Sequence, residues 1–265
     1  MNEHSKPEER YAPLLLPDER IDTVNEDLRL IRKENGLTFG TDAYLLAAYI
    51  RPQKSAHAVE LGGGTGIISL LLLAKNKVKS ITAVEIQEPF ADLIGRNAAI
   101  NGLGERLTPL CRDLRDLRAC DIGGEVPLVF SNPPYMTVDS GKRNLHDEKY
   151  LARHEVNGGI SDFCATASKL LKYGGRYVCV WRPDRLTALL NGMREFGLEP
   201  KRMTFVHADR QSEACAVLVD AQKGASPSLK LTPPLILYTD HDPAQKTRTL
   251  TPEALRIYNT CSFEE

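Results

Sequence analysis

The chain has 265 residues, 34 Lys and Arg against 35 Asp and Glu, and a net charge of −1. Hydrophobic residues make up 42% and charged residues 26%, the balance of a globular protein whose core can fill one large domain. This excludes a global basic field for nucleic acid, and no apolar run is long enough to cross a membrane as a helix. The six cysteines (Cys111, Cys120, Cys164, Cys179, Cys215, Cys261) make no C-x-x-C pair and read as reduced thiols of a cytoplasmic protein.

Residues 1–20 are polar, carry Pro7, Pro13 and Pro17, and read as a mobile arm. "LRLIRKENGL" reads as a strand pair turning at Asn35-Gly36. A helix is expected from Thr41 or Asp42 to Ile50, stopped by Pro52. From Ala56 the pattern alternates. "AHAVEL", "SITAVEI", "RLTPLC", "VPLVFS" and "GGRYVCVW" read as strands, separated by helices over 67–75, 89–100 and 161–171. A further helix over 184–196 leads to the strands "PKRMTFVH" and "EACAVLVD". Such alternation predicts an α/β fold, a doubly wound and mostly parallel seven-stranded sheet covered on both faces, over residues 21–222. Residues 223–265 are less regular and are expected to pack on that domain as a C-terminal extension.

"VELGGGTGII" follows the first of these strands and opens a helix, where a doubly wound sheet places a ligand. Glycine admits close backbone approach, and the helix start offers free N–H groups. The dinucleotide spacing G-x-G-x-x-G fails, because Ile67 occupies its third place. G-x-G-x-G fits, at Gly62, Gly64 and Gly66. There is no Gly-Lys-Ser/Thr, which excludes a P-loop. Glu85 closes the next strand, 19 residues after Gly66, and is placed to accept both hydroxyls of a ribose. Asp113 ends the third strand similarly, either accepting from an adenine amine or capping a helix. "SNPPYM" then breaks the sheet after Phe130, because Pro133 and Pro134 cannot continue a central strand. The result is a stiff corner that holds the Asn132 side chain still.

These segments, in this order and spacing, resemble the S-adenosylmethionine-dependent methyltransferases of the Rossmann-like type, and "NPPY" resembles the motif of those that methylate amino groups. "NGLTFGTDAYLLAAYI", "NPPYM" and "ARHE…LLKYGGRYVCVWRPDRL" further resemble the bacterial tRNA(Val) adenine-N6 methyltransferase family, which modifies the adenine beside the anticodon. The resemblance runs from about residue 20 to about residue 238. It implies S-adenosylmethionine as cofactor and tRNA as partner. It further implies that Gly62, Gly64 and Gly66 contact the donor's methionine portion, Glu85 its ribose, Asp113 its adenine and Glu60 its ammonium group. Phe39, Gly40, Thr41 and Asp42 match the segment that covers the donor, or else serve helix capping and packing. Asn132 and the Pro133 carbonyl would accept from the adenine amine. Pro134 and Tyr135 would line the base, with Tyr135 stacking on it.

The polar stretch 137–157 is long for a connection and reads as a binding loop, in which Arg153 and His154 are candidate RNA contacts. Its charges balance. Arg182, Arg185, Lys201, Arg202 and Arg210 are candidates for a basic face beside it. No His/Cys cluster has metal-ligand spacing. Two other readings stay open: methylation of a protein glutamine amide, and a non-catalytic RNA-binding protein on the same fold. Either a monomer or a homodimer is compatible with the sequence.

Overall fold

The computed structural model describes residues 14–34, 40–134, 159–239 and 248–264. An antiparallel hairpin of β1 (Glu19–Thr23) and β2 (Arg29–Lys33) opens this part. Its connection is an Asx turn, in which Asn25 Oδ1 accepts from the Asp27 and Leu28 amides. The connection of this hairpin thus lies at Asn25; the expected turn at Asn35-Gly36 falls outside the described residues. Leu14 and Leu15 pack with Ile21 on the Ile31, Leu93 and Ile100 cluster. The folded chain thus begins before residue 20. Leu14 and Leu15 outweigh the polar and proline-rich character of their surroundings, while Leu16 stays exposed.

After the hairpin come α1 (Thr41–Tyr49), β3 (Gln53–Leu61), α2 (Ile67–Ala74), β4 (Val78–Glu85), α3 (Glu88–Ile100) and β5 (Leu107–Cys111). Two 3₁₀ turns lead to β6 (Val126–Ser131). Then follow α4 (Ile160–Leu170), β7 (Leu171–Trp181), α5 (Leu186–Glu195), β8 (Leu198–His207) and β9 (Ala214–Lys223). Residues 223–265 supply two further short strands, β10 (Lys230–Leu231) and β11 (Leu235–Ile236), and helix α6 (Pro252–Thr260).

The seven expected strands form one sheet in the order β5-β4-β3-β6-β7-β9-β8, and β10 and β11 extend its β8 edge. All pairings are parallel except those of β9 with β7 and β8. Pro109 is accommodated because β5 is the edge strand, pairing on one side only with β4. From β3 the chain runs outward to β4 and β5, then returns to β6 on the other side of β3. That reversal opens a crevice at the carboxyl ends of β3 and β6, where open α/β sheets bind ligands.

Period-2 alternation divides the strands between two cores. Leu128 and Phe130 of β6 and Val178 and Val180 of β7 face one core, shared with α1, α2, α3 and α6. Val129, Tyr177, Cys179 and Trp181 face the other, under α4 and α5. Helix α2 is apolar except for Ser69 and wholly buried from Ile67 to Leu73, so its amino terminus is fixed against the sheet. Lys77, also buried, donates to the Ala47, Ala48 and Ile50 carbonyls and closes the carboxyl end of α1. Among the described residues, no helix is long and apolar enough to cross a membrane.

Candidate active site

Strand register brings the candidate residues to one level. Leu61 pairs with Val84 on one side and Ser131 on the other. The next residues, Gly62, Glu85 and Asn132, therefore leave three adjacent strands together, about 5 Å apart from strand to strand. Glu85 in turn pairs with Cys111, two residues before Asp113. These groups surround one open cleft of about 180 Å³, lined by Gly62, Gly64, Glu85, Asp113, Asn132 and Pro134 together with Ile86, Gln87, Arg112, Leu114 and Phe163.

The glycine loop is built from backbone that other residues rarely adopt. Gly62, Gly64 and Gly66 have φ of +75°, +54° and +81°. The Gly62 and Gly63 amides donate to the Val84 carbonyl, and the Gly64 amide donates to Glu85 Oε2 at 2.9 Å. Glu85 Oε1 accepts from the Gln87 amide at 3.0 Å. This carboxylate is thus oriented by two backbone donors at the cleft wall, and each oxygen has a lone pair to spare for a hydroxyl donor. Ser131, at the last position of β6, shares a 2.7 Å hydrogen bond with the buried Tyr177 hydroxyl. That bond and the two prolines fix the corner from which Asn132 enters the cleft.

Asp113 lines the cleft and also caps the following 3₁₀ turn, accepting from the Arg115 amide. The Arg115 guanidinium beside it holds its carboxyl below the usual range, so it is an anion at neutral pH.

Glu60 differs from expectation. Val59 and Leu61 face the α4 side of β3, so alternation turns Glu60 toward α2. Its carboxyl is 1% exposed and is bonded to the Ser69 hydroxyl, and it does not line the cleft. Burial, with the nearby Glu85 carboxylate adding to it, pushes its pKa up to about 8. Gly66 is likewise not a cleft residue. A Cβ there would lie 3.3 Å from two carbons of Ile94, so this glycine serves helix packing. Gly40 is the N-cap of α1 and Thr41 bonds the Tyr258 side chain of α6; neither lines the cleft. Pro133 is buried behind the corner. Phe39, Tyr135, Arg153 and His154, with the stretch 137–157, lie outside the described residues.

Of the cations expected on a basic face, Arg202 and Lys201 lie elsewhere. Arg202 is 8% exposed, with its guanidinium 3.8 Å from the Tyr49 ring centre and facing Asp220. Lys201 is near the amino end of β8, away from the cleft, and donates to Ser226 and Ser228. Arg182 stays at the cleft end of the sheet, in a second depression whose lining adds Asp42, Asp184 and Glu213. That lining is mixed in charge.

Ile86, Gln87, Arg112, Leu114 and Phe163 were not singled out from the sequence. The first four adjoin Glu85 and Asp113, and that adjacency was the available signal. Phe163 had none. It comes from α4, where its ring would lie 3.5 Å from a Cβ placed on Gly62.

No family model matches the sequence. A tRNA1(Val) (adenine(37)-N6)-methyltransferase of Bacteroides fragilis is 30% identical over 167 residues, covering 63% of this chain and 69% of that protein. The protein of the same name from Porphyromonas gingivalis is 28% identical over 188 residues, covering 68% and 72%. Among solved structures, one described as a predicted O-methyltransferase of Agrobacterium tumefaciens superposes with a TM-score of 0.66 at 20% identity, over 84% of this chain and 97% of that one. The tRNA-bound aTrm5 superposes with a TM-score of 0.53 at 16% identity, over 78% and 53%. At such identities these two structures share the fold. The glycine loop, the strand-end acids and the Asn-Pro-Pro corner meet at one cleft on that fold, and with the identity to the Bacteroides protein they make this chain a member of the tRNA1(Val) (adenine(37)-N6)-methyltransferase family.

Proposed function

We propose that this protein transfers a methyl group from S-adenosylmethionine to the exocyclic N6 of an adenine in tRNA, beside the anticodon, in the cytoplasm. The observation that carries this reading is that Glu85 and Asn132, from strands on either side of β3, line the same cleft. One is suited to a nucleoside's hydroxyls, the other to an amine.

The cleft's residues fit the donor. The Gly64 Cα has no heavy atom within 4 Å of where a side chain would begin, so backbone can meet a ligand there. Glu85 and the anionic Asp113 supply acceptors, while Ile86, Leu114 and Phe163 supply apolar surface. When bound, the donor's sulfonium supplies an already activated methyl group. The protein's task is then to position and polarise.

The adenine amine is a poor nucleophile because its lone pair is delocalised into the ring. The Asn132 side-chain oxygen and the Pro133 carbonyl accept its two N–H bonds, which favours a pyramidal nitrogen with its lone pair toward the methyl. Neither acceptor ionises. As the nitrogen gains positive charge its N–H bonds polarise, and acceptors already in place stabilise that state. The proton then leaves to solvent without a strong base. Tyr135 is assigned base stacking on the motif alone, and Arg153 and His154 RNA contact on the resemblance alone.

The test is Asn132→Ala. Turnover on unmodified tRNA should fall by at least about a hundredfold, the cost of losing one preorganised hydrogen-bonding group to a transition state. Donor affinity by calorimetry should stay within about twofold, below the worth of a single net hydrogen bond. A variant that loses donor affinity, or one that turns over normally, would contradict the role given to Asn132.

A further inference from the structure

Helix α3 carries Asn97 in its last turn, where asparagine is a poor helix former, and ends one turn later at its C-cap, Asn101. Both act toward β2 as a neighbouring strand would. Asn101 Oδ1 accepts from the Arg29 amide at 2.9 Å, and its Nδ2 donates to the Arg29 carbonyl at 2.7 Å. Asn97 Oδ1 accepts from the Ile31 amide at 2.6 Å, and its Nδ2 donates to the Ile31 carbonyl at 3.3 Å. Asn101 Nδ2 also donates to the Asn97 carbonyl one turn back, at 2.7 Å, whereas the further bond of Asn97 leaves the helix. Asn97 Nδ2 donates at 3.0 Å to the carbonyl of Thr65, inside the glycine loop.

Thr65 lies between Gly64 and Gly66, both at positive φ and both without the side chain that would restrict their neighbours. Such a backbone keeps one conformation only where outside groups hold it. Glu85 holds the amide of Gly64, and Asn97 holds the carbonyl of the next residue. Asn97 is 0% exposed, so both ends of its amide are committed and no water replaces them. The same amide ties the loop to the N-terminal hairpin through Ile31.

We infer that Asn97 is a positioning residue for the donor, clamping the glycine loop in its binding conformation and coupling the β1–β2 hairpin to the donor cleft. The inference rests on the proposed use of that cleft. Removing the clamp lets the loop populate other conformations, and apparent affinity falls by the competent fraction. By linkage, a donor that fixes the loop also tightens the grip on Ile31.

Asn97→Ala and Asn101→Ala are compared by thermal melting and by calorimetric titration of S-adenosylmethionine and S-adenosylhomocysteine. Both should melt earlier, since each loses bonds to β2. Asn97→Ala should raise the Kd of both ligands about tenfold, and Asn101→Ala less than about twofold, as expected for one lost net hydrogen bond against none at the loop. Equal effects on affinity would reduce Asn97 to a structural residue and overturn the inference. If Asn97→Ala does not fold, amide exchange on the wild type decides. Saturating S-adenosylhomocysteine should slow exchange of the Ile31 amide more than that of the Arg29 amide, and unchanged Ile31 protection would refute the coupling. A wild-type protein that binds neither ligand would instead remove the proposed function, and this inference with it.

Discussion

Gly64→Ala and Gly66→Ala look like equivalent changes in one motif, and the structure predicts that they fail differently. At Gly64 the backbone has φ +54°, and an added Cβ meets no heavy atom within 4 Å. The cost to the fold is conformational strain alone, about 1 kcal/mol for a left-handed alanine. In a chain of this size that is a fall in Tm of about 2–4 °C. The new methyl, however, stands at the wall of the donor cleft. Donor Kd should rise at least about tenfold, which is about 1.4 kcal/mol. At Gly66, φ is +81° and the Cβ would lie 3.3 Å from both Cγ1 and Cγ2 of Ile94, which is fully buried and held near its own backbone. Strain and overpacking together should cost about 2–5 kcal/mol, with the loss read mainly in Tm. Below its melting range the Gly66 variant should bind the donor more tightly than the Gly64 variant. Denaturation curves and calorimetry on the two proteins separate the cases. Wild-type donor affinity in Gly64→Ala, or a Gly66→Ala no less stable than Gly64→Ala, would refute the division of the loop into a cleft face and a packing face.

Two other outcomes follow from the same geometry. Glu85→Ala should raise donor Kd by at least about a hundredfold, because it removes both the ribose acceptor and the tether on the Gly64 amide, each a charge-assisted bond worth about 1.5–3 kcal/mol; unchanged calorimetric affinity would exclude it from the site. Glu60 gives a pH signature. Its folded pKa of about 8 lies above the usual 4.5, so the folded state holds a proton that the unfolded chain releases. The stability contributed by that protonated carboxyl is fully present below about pH 4.5 and is lost as pH rises through about 8. Glu60→Gln cannot ionise, so its Tm relative to wild type should move in the variant's favour between about pH 5 and about pH 8.5. A pH-independent difference would mean that Glu60 is ionised in the folded protein.

Much of this architecture was legible because local signals agreed with one another. Apolar runs ending in Leu61, Glu85 and Phe130-Ser131, each followed by turn or helix chemistry, gave the parallel order. Once that order is known, the shared level of Gly62, Glu85 and Asn132 follows from strand pairing. The misreadings arose where partners lie far apart in the chain. Arg202 resembles a surface cation in "PKRMTF" until Tyr49 and Asp220 are placed around it. Phe163 reaches the glycine loop only through the packing of α4 against β6 and β7. Glu60 is a different case. Alternation between Val59 and Leu61 would have turned it toward α2, but the resemblance assigned it to the donor's ammonium group. Asn97 and Asn101 drew no notice because an asparagine in a helix or at its C-cap carries no pattern until the backbone it bonds is known.

The central claim is that the Asn-Pro-Pro corner presents an adenine amine to a methyl donor bound beside the glycine loop. Nucleoside mass spectrometry tests it directly, on unmodified tRNA incubated with the protein and isotopically labelled S-adenosylmethionine. The account predicts labelled N6-methyladenosine, mapped to the position next to the anticodon. Label in another nucleoside, or in a glutamine-containing protein substrate offered in parallel while the tRNA stays unlabelled, would contradict it.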